Sequence, residues 1–354
     1  MARRYTHPIL SVEDQDLLGE TINQIEDITD EVRKQAVMLG PQEVRYLVDT
    51  YYNMQDRRKT SANQERALSS ADEPITLVDF IRAMDTLTEK KIRQLLQAYA
   101  EIQPVSQWAM GIRGIGPVIS AGLAAHIDIE RAPTVGHIWR FFGLDPSQKW
   151  QGRKAADKVV SDHLRRPNRK TMRQPTEEDV RILADEMQGL RYDTVLRIAT
   201  TNFDGSPRNL TATTLKNALA VRPHNARAKT LAWKIGESFV KVKNHPSDIY
   251  GSVYDDRKAL EQIRNDAGQF AEQARTKLET TDIGHDTDAY KSYINGQLPP
   301  GHIHSRAKRY AVKLFLAHYH HVAYQTRYGI APPKPYILTQ EGHAHFIAPP
   351  NWAA

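Results

Sequence analysis

A mainly α-helical fold is expected for this chain: a helical bundle with a helix-hairpin-helix core, a basic insertion and a long helical hairpin or coiled coil. Three observations predict it. Apolar residues recur three or four apart in most segments, the spacing that lines one face of a helix. The first hundred residues show no alternating strands. The stretch from Trp108 to Pro146 carries glycine and proline where two short helices would be joined by a tight turn.

In chain order, Leu18, Ile22, Ile25, Ile28 and Val32 mark an amphipathic helix over 12–34 that Gly40-Pro41 ends. A second helix over about 42–56 buries Val44, Leu47, Val48 and Tyr51, and the polar run from Arg57 to Arg66 follows it. Two more are expected over 75–85 and 88–102, the latter opened by a Thr86-x-x-Glu89 capping box. Pro104 then opens the first helix of the hairpin. Gly111, Gly114 and Gly116 permit positive φ in the turn, Ile112 and Ile115 plug it, and Pro117 suits the first turn of the next helix. That helix is rich in small residues (Ser120, Ala121, Gly122, Ala124, Ala125), so its partner can come close. A third short helix over 134–142 closes at Gly143.

From Lys149 the pattern changes. Residues 161–175 lack apolar periodicity and read as a basic arm; 176–198 read as a helix and 202–207 as a turn-rich break. A helix over 226–242 turns Ala228, Leu231, Ala232, Ile235 and Phe239 inward. Val253, Leu260, Ile263, Ala267, Phe270, Ala274 and Leu278 form a narrow stripe that suits a helical hairpin or short coiled coil over 253–278, through which a homodimer is conceivable. An acidic loop over 280–293 precedes a helix over about 304–328, and the proline-rich tail reads as extended. The expected organisation is an N-terminal helical region (1–103), the hairpin core (104–160), the basic insertion (161–221), a C-terminal helical part of the core (222–330) and a tail (331–354).

The chain has 354 residues, a net charge of +6 and no cysteine. The last removes disulfides, thiolate metal sites and cysteine nucleophiles, and is compatible with a reducing cytoplasm. No apolar run has membrane length, so no membrane partner is expected. The charge is unevenly spread. Nine Lys/Arg face two Asp between Lys149 and Arg173, six face one Glu between Arg222 and Lys243, and six face none between Arg306 and Lys334. Glu13 to Glu31 holds eight acids and no base. Such asymmetry points to a basic face for a polyanion. A glycine turn feeding a helix N-terminus also offers backbone N–H groups to a phosphate oxygen. The candidate nucleic-acid contacts are Arg113, Gly114, Gly116, Lys149, Arg153, Lys154, Arg165, Arg166, Arg169, Lys170, Arg227, Lys234, Arg306 and Arg309. Among the rings interleaved with these bases, Trp150, Trp233, Tyr310, Tyr319, Tyr324 and Tyr328, most are expected in the core.

The sequence Gly111-Ile-Arg-Gly-Ile-Gly-Pro-Val-Ile-Ser-Ala121, the run Phe142-Gly-Leu-Asp-Pro146 and the basic Gly152-Arg153-Lys154 turn together resemble the C-terminal domain of bridge-RNA-guided insertion-sequence transposases. Those recombinases pair an N-terminal four-acid nuclease-like domain with a serine-bearing C-terminal one. The resemblance covers roughly residues 105–160 and 222–330, where 225–239 and 305–324 take the places of that domain's two basic helices. It implies a nucleic-acid-binding core whose partner is DNA, with RNA or a junction left open. Where the family carries its nucleophile in a Ser-Gly setting, this chain has Trp150-Gln151-Gly152; Ser147 lies earlier in the turn and Ser161 later. The acids of the first hundred residues fall on helices rather than at strand ends. The resemblance therefore implies a stand-alone phage or mobile-element protein without the four-acid domain, and argues against a working transposase; a cytoplasmic protein without a cofactor is expected.

Two other readings compete. A recombinase or nuclease would use Ser147, or a metal held by the late histidines His302, His304, His318, His321, His343 and His345. A structural protein would self-assemble through 253–278.

Overall fold

The computed structural model describes residues 28–166, 171–333 and 346–352. Among the described residues it is mainly α-helical: fifteen helices, no strand, and two isolated β-bridges, Arg165–Met172 and Thr201–Pro207. None of these helices is long and apolar enough to cross a membrane. The chain divides into two compact units, one running up to Asp128 and one spanning 129–350.

The first unit holds α1 (Asp30–Val37), α2 (Pro41–Ser70), α3 (Thr76–Glu101), α4 (Pro104–Met110) and α5 (Pro117–His126). Most of the helix expected over 12–34 lies outside the described residues. The polar run after Asp56 does not end α2, because its charges have partners on antiparallel α3: Arg57 with Asp85 at 3.3 Å, Arg58 with Glu89 at 2.7 Å and Glu65 with Arg82 at 2.9 Å. The same pairing overturns the break expected at 86–88. Glu89 is taken by Arg58 and the Thr86 hydroxyl donates to the Arg82 carbonyl one turn back, so no capping box forms and α3 runs through. Val44, Val48, Ile92, Leu96 and Tyr99 pack with Val118, Ala121 and Ala125 of α5 into one core.

The second unit begins with α6 (Val135–Phe141), α7 (Gly152–Leu164), α8 (Glu177–Met187), α9 (Tyr192–Thr200) and α10 (Ala212–Leu219). The segment read as a polar arm is in part helical: α7 continues to Leu164, which is fully buried with Val160, Val180, Leu183, Val195 and Leu215. The helix expected over 176–198 is two, because Gln188 adopts a left-handed conformation (φ 50°) and Gly189 follows it. A Thr176–Asp179 capping box starts α8, and the Asp179 carboxylate also accepts from Arg173 at 2.5 Å and pairs with His163 at 2.8 Å.

The unit continues with α11 (Ala226–Val242), α12 (Tyr250–Asp266), α13 (Ala271–Thr280), α14 (Asp288–Ile294) and α15 (Pro300–Tyr328). Helix α11 has the predicted bounds, and its five predicted inward residues are buried. The stripe over 253–278 is not one helix. Gly268 (φ 74°) breaks it, and α12 buries Tyr250, Tyr254, Glu261 and Asn265, leaving Leu260 and Ile263 exposed. A polar pair wins the buried face because each member is fully bonded. Asn265 exchanges two hydrogen bonds with the Leu298 backbone, and Glu261 sits between Arg257 and Arg306. The loop expected over 280–293 contains α14, whose Tyr293 joins Ala274, Leu298 and Ile303 in a small core.

Candidate nucleic-acid interface

The hairpin in the first unit is built from small residues upward. Ser120, Ala121 and Gly122 of α5 are buried, and the Ser120 hydroxyl donates to the Ser106 carbonyl of α4 at 3.0 Å. Ile112 and Ile115 are 1% and 4% exposed and fill the turn, with the Ile115 N–H donating to the Ile112 carbonyl. Of the three glycines only Gly114 has positive φ (95°); Gly111 is right-handed helical and Gly116 is extended, because the turn needs a single reversal. Open space surrounds the place where a Gly116 side chain would begin. Arg113 lies exposed on this turn, with no ion pair among the described residues. At the far end Arg45 donates twice to the Ala125 carbonyl, at 2.6 and 2.8 Å, closing the C-terminus of α5.

In the second unit the loop between α6 and α7 is tightly organised. Gly143 (φ 64°) ends α6 where a Cβ would lie 2.9 Å from the His224 ring. The Asn225 N–H donates to the Phe141 carbonyl, joining this point to the start of α11. Asp145 then accepts from both the hydroxyl of Ser147, at 2.7 Å, and its N–H, at 2.9 Å, with Arg140 3.5 Å away. Burial raises the Asp145 pKa, but these bonds and the Arg140 charge outweigh it and hold the carboxyl below its usual range. The two bonds fix the turn that carries Ser147. Ser147 also edges an open cavity of about 820 Å³ lined by Arg140, Arg181, Arg191, Tyr192 and the exposed Ile182. Composition could not reveal these arginines as neighbours, since they come from α6, α8 and the residue that precedes α9.

The remaining basic candidates are scattered. Lys149, Arg153, Lys154, Arg165 and Arg166 are exposed around α7, whereas Arg169 and Lys170 lie outside the described residues. On α11, Arg227 is exposed and Lys234 lies near the Trp233 ring at 5.6 Å. On α15, Arg306 is committed to Glu261 at 2.6 Å, while Arg309 stays exposed and donates to the Ser305 carbonyl. The aromatic expectation is corrected: Trp150, Trp233, Tyr310 and Tyr328 are exposed, and of the six rings only Tyr319 is fully buried.

The histidines are engaged inside the second unit. Tyrosine hydroxyls meet the Nδ1 atoms of His318, His304 and His302, from Tyr250, Tyr254 and Tyr293 at 2.7, 2.7 and 3.4 Å. The Ile347 carbonyl can only accept, so His318 Nε2 carries the proton and Nδ1 accepts from Tyr250. His321 lies beside Phe346, and His343 and His345 lie outside the described residues. Among the described residues no group of three His, Asp or Glu is placed to hold a metal.

His318 gives a pH prediction. Burial pushes its pKa down from 6.5 to about 4, with the Ile347 carbonyl acting in the opposite direction. The fold therefore holds the neutral ring, and its full stability is present above the unfolded value of about 6.5. As pH falls from there toward 4 the unfolded chain gains a proton that the folded one refuses. The expected loss is roughly 3 kcal/mol by pH 4, because each unit of pKa difference is about 1.4 kcal/mol. His302, His304, His320 and His321 are depressed too and add in the same direction. Denaturant midpoints at pH 7.5 and 4 measure this; His318→Gln should flatten the difference, and an unchanged difference would refute the assignment.

Residues 106–187 match the model of the Transposase IS116/IS110/IS902 family. The chain carries a transposase-related domain. No curated protein and no solved structure matches the chain. The transposase-related stretch starts in α4, takes in the hairpin and the Asp145–Gly152 loop, and ends with α8.

Proposed function

We propose that this transposase-related protein binds DNA through its phosphate backbone, with little direct reading of bases, in the service of a mobile element. The observation that carries the reading is the hairpin tip: Arg113 stands exposed, with no ion pair among the described residues, on a turn filled by two buried isoleucines and tied by the Ser120–Ser106 bond. A cation held on a rigid turn next to a helix N-terminus loses little freedom on meeting a phosphate. The exposed Lys149, Arg153, Lys154, Arg165 and Arg166 supply further phosphate contacts. Phosphate contacts position a duplex without specifying its sequence.

The test is a titration against duplex, four-way junction and single-stranded DNA and structured RNA at two salt concentrations, with cleavage products read from the same samples. Affinity should fall steeply with salt as counterions are released. Arg113→Glu should weaken binding about tenfold for all sequences alike and lower the salt slope by about one. Unchanged affinity in that variant would reduce the hairpin to a turn, and strand products would favour a recombinase instead.

A further inference from the structure

Trp150 is an exposed indole that the fold holds still. Its ring is 46% exposed, yet its Nε1–H donates to the Ala220 carbonyl at 3.0 Å and the Arg222 guanidinium lies 4.5 Å from the ring centre. The loop beneath it is fastened on both sides. The Lys149 N–H donates to the Gln188 carbonyl at 2.7 Å, and the Gln151 side chain donates to the Met187 carbonyl at 2.9 Å. Glycine at 189 admits the Lys149 carbonyl, which would lie 3.3 Å from any Cβ there, and Gly152 (φ 83°) turns the chain into α7. Trp233 differs: it is 55% exposed, and among the described residues no hydrogen bond holds its indole.

Leaving a large ring in water forgoes the free energy of burying it. Orienting that ring by a backbone hydrogen bond and a guanidinium has one further use. A flat aromatic surface already ordered can accept another flat ring at little entropic cost. Besides Arg222, the exposed Lys149, Arg153 and Lys154 follow or precede it within four residues of the chain. A ring flanked by cations matches one ligand chemistry, a nucleobase joined to phosphates, and the base must be unpaired for its face to be available.

We propose that Trp150 is a stacking platform for an unpaired nucleobase, with the neighbouring phosphates held by Lys149, Arg153, Lys154 and Arg222. This rests on the DNA-binding reading and adds to it a preference for strands with exposed bases, at the turn where the resembling transposases carry their serine.

The test compares two single-stranded oligonucleotides of equal length, oligo-dT and one built from abasic sites, which present the same phosphates. The full chain should bind the first at least tenfold tighter, the scale of one base stacked on an aromatic ring. Trp150→Ala should bring the ratio close to one while leaving affinity for the abasic strand unchanged, and Trp150→Phe should keep part of the preference. Circular dichroism of both variants checks folding, and the Phe variant serves if the Ala variant does not fold. A ratio near one in the unmodified protein, or a ratio that survives Trp150→Ala, overturns the platform while leaving phosphate binding intact. Failure of both strands to bind overturns the platform and the DNA-binding reading together.

Discussion

Glu261→Ala is expected to destabilise the unit spanning 129–350 by about 3 kcal/mol, at the lower end of what removing one partner of a buried ion pair costs. Glu261 is 1% exposed and places its negative charge between two guanidiniums, Arg257 at 2.5 Å and Arg306 at 2.6 Å. Burial raises its pKa, but the two arginines more than reverse that and keep the carboxyl ionised. Removing it leaves two cations repelling one another across α12 and α15. Both are about a quarter exposed and each lies over a ring, Arg257 on Tyr310 and Arg306 on Phe270, so water and the rings absorb part of the penalty. Chemical denaturation of the full chain measures the loss. A double replacement, Glu261→Met with Arg306→Met, should recover much of it, since an apolar pair of similar volume needs no counter-charge. A loss below about 1 kcal/mol for Glu261→Ala would mean that the carboxylate contributes little to holding α12 on α15.

Phe239→Ala should cost about 3–5 kcal/mol, the range for deleting a buried aromatic ring. The ring is fully buried, stacked on Tyr250 at 4.9 Å and edge-on to Phe315 at 5.5 Å. These three rings join α11, α12 and α15, so no single side chain can move in to fill the space. Tyr250 is held in place by its bond to His318 and cannot collapse inward without breaking it. Phe239→Leu should cost much less by keeping most of the volume. Phe203, fully exposed in the 202–207 turn, is the control: Phe203→Ala should change stability by no more than about 0.5 kcal/mol. Equal effects at 203 and 239 would contradict this core.

The two replacements also mark where sequence reasoning works. Helical spacing of Ala228, Leu231, Ala232, Ile235 and Phe239 predicts that α11 turns them inward, and all five are buried. The hairpin was legible for a similar reason: glycine, proline and isoleucine each have a local job in a tight turn, whatever surrounds it. Of the three glycines that permit positive φ, the turn uses Gly114. Glu261 and Asn265 could not be placed this way. A periodicity argument assigns a carboxylate and an amide to the wet face, and here the opposite holds because Arg306 and the Leu298 backbone, 45 and 33 residues away, satisfy them.

Local chemistry was thus enough for the helical class, the hairpin turn, the face of α11 and the uneven spread of positive charge, because each depends on neighbours within a few positions along the chain. Contacts between distant segments settled the rest. Pairing with α3 carried α2 through a run of charges, and paired Arg58 and Glu89 removed a cap that the residues alone suggested. Tyrosines from other helices took up the histidines, and Arg222 with the Ala220 carbonyl made Trp150, in its basic turn, an oriented surface ring. In each case the free energy of a polar or aromatic group depends on which partner reaches it, and only the folded chain brings that partner near.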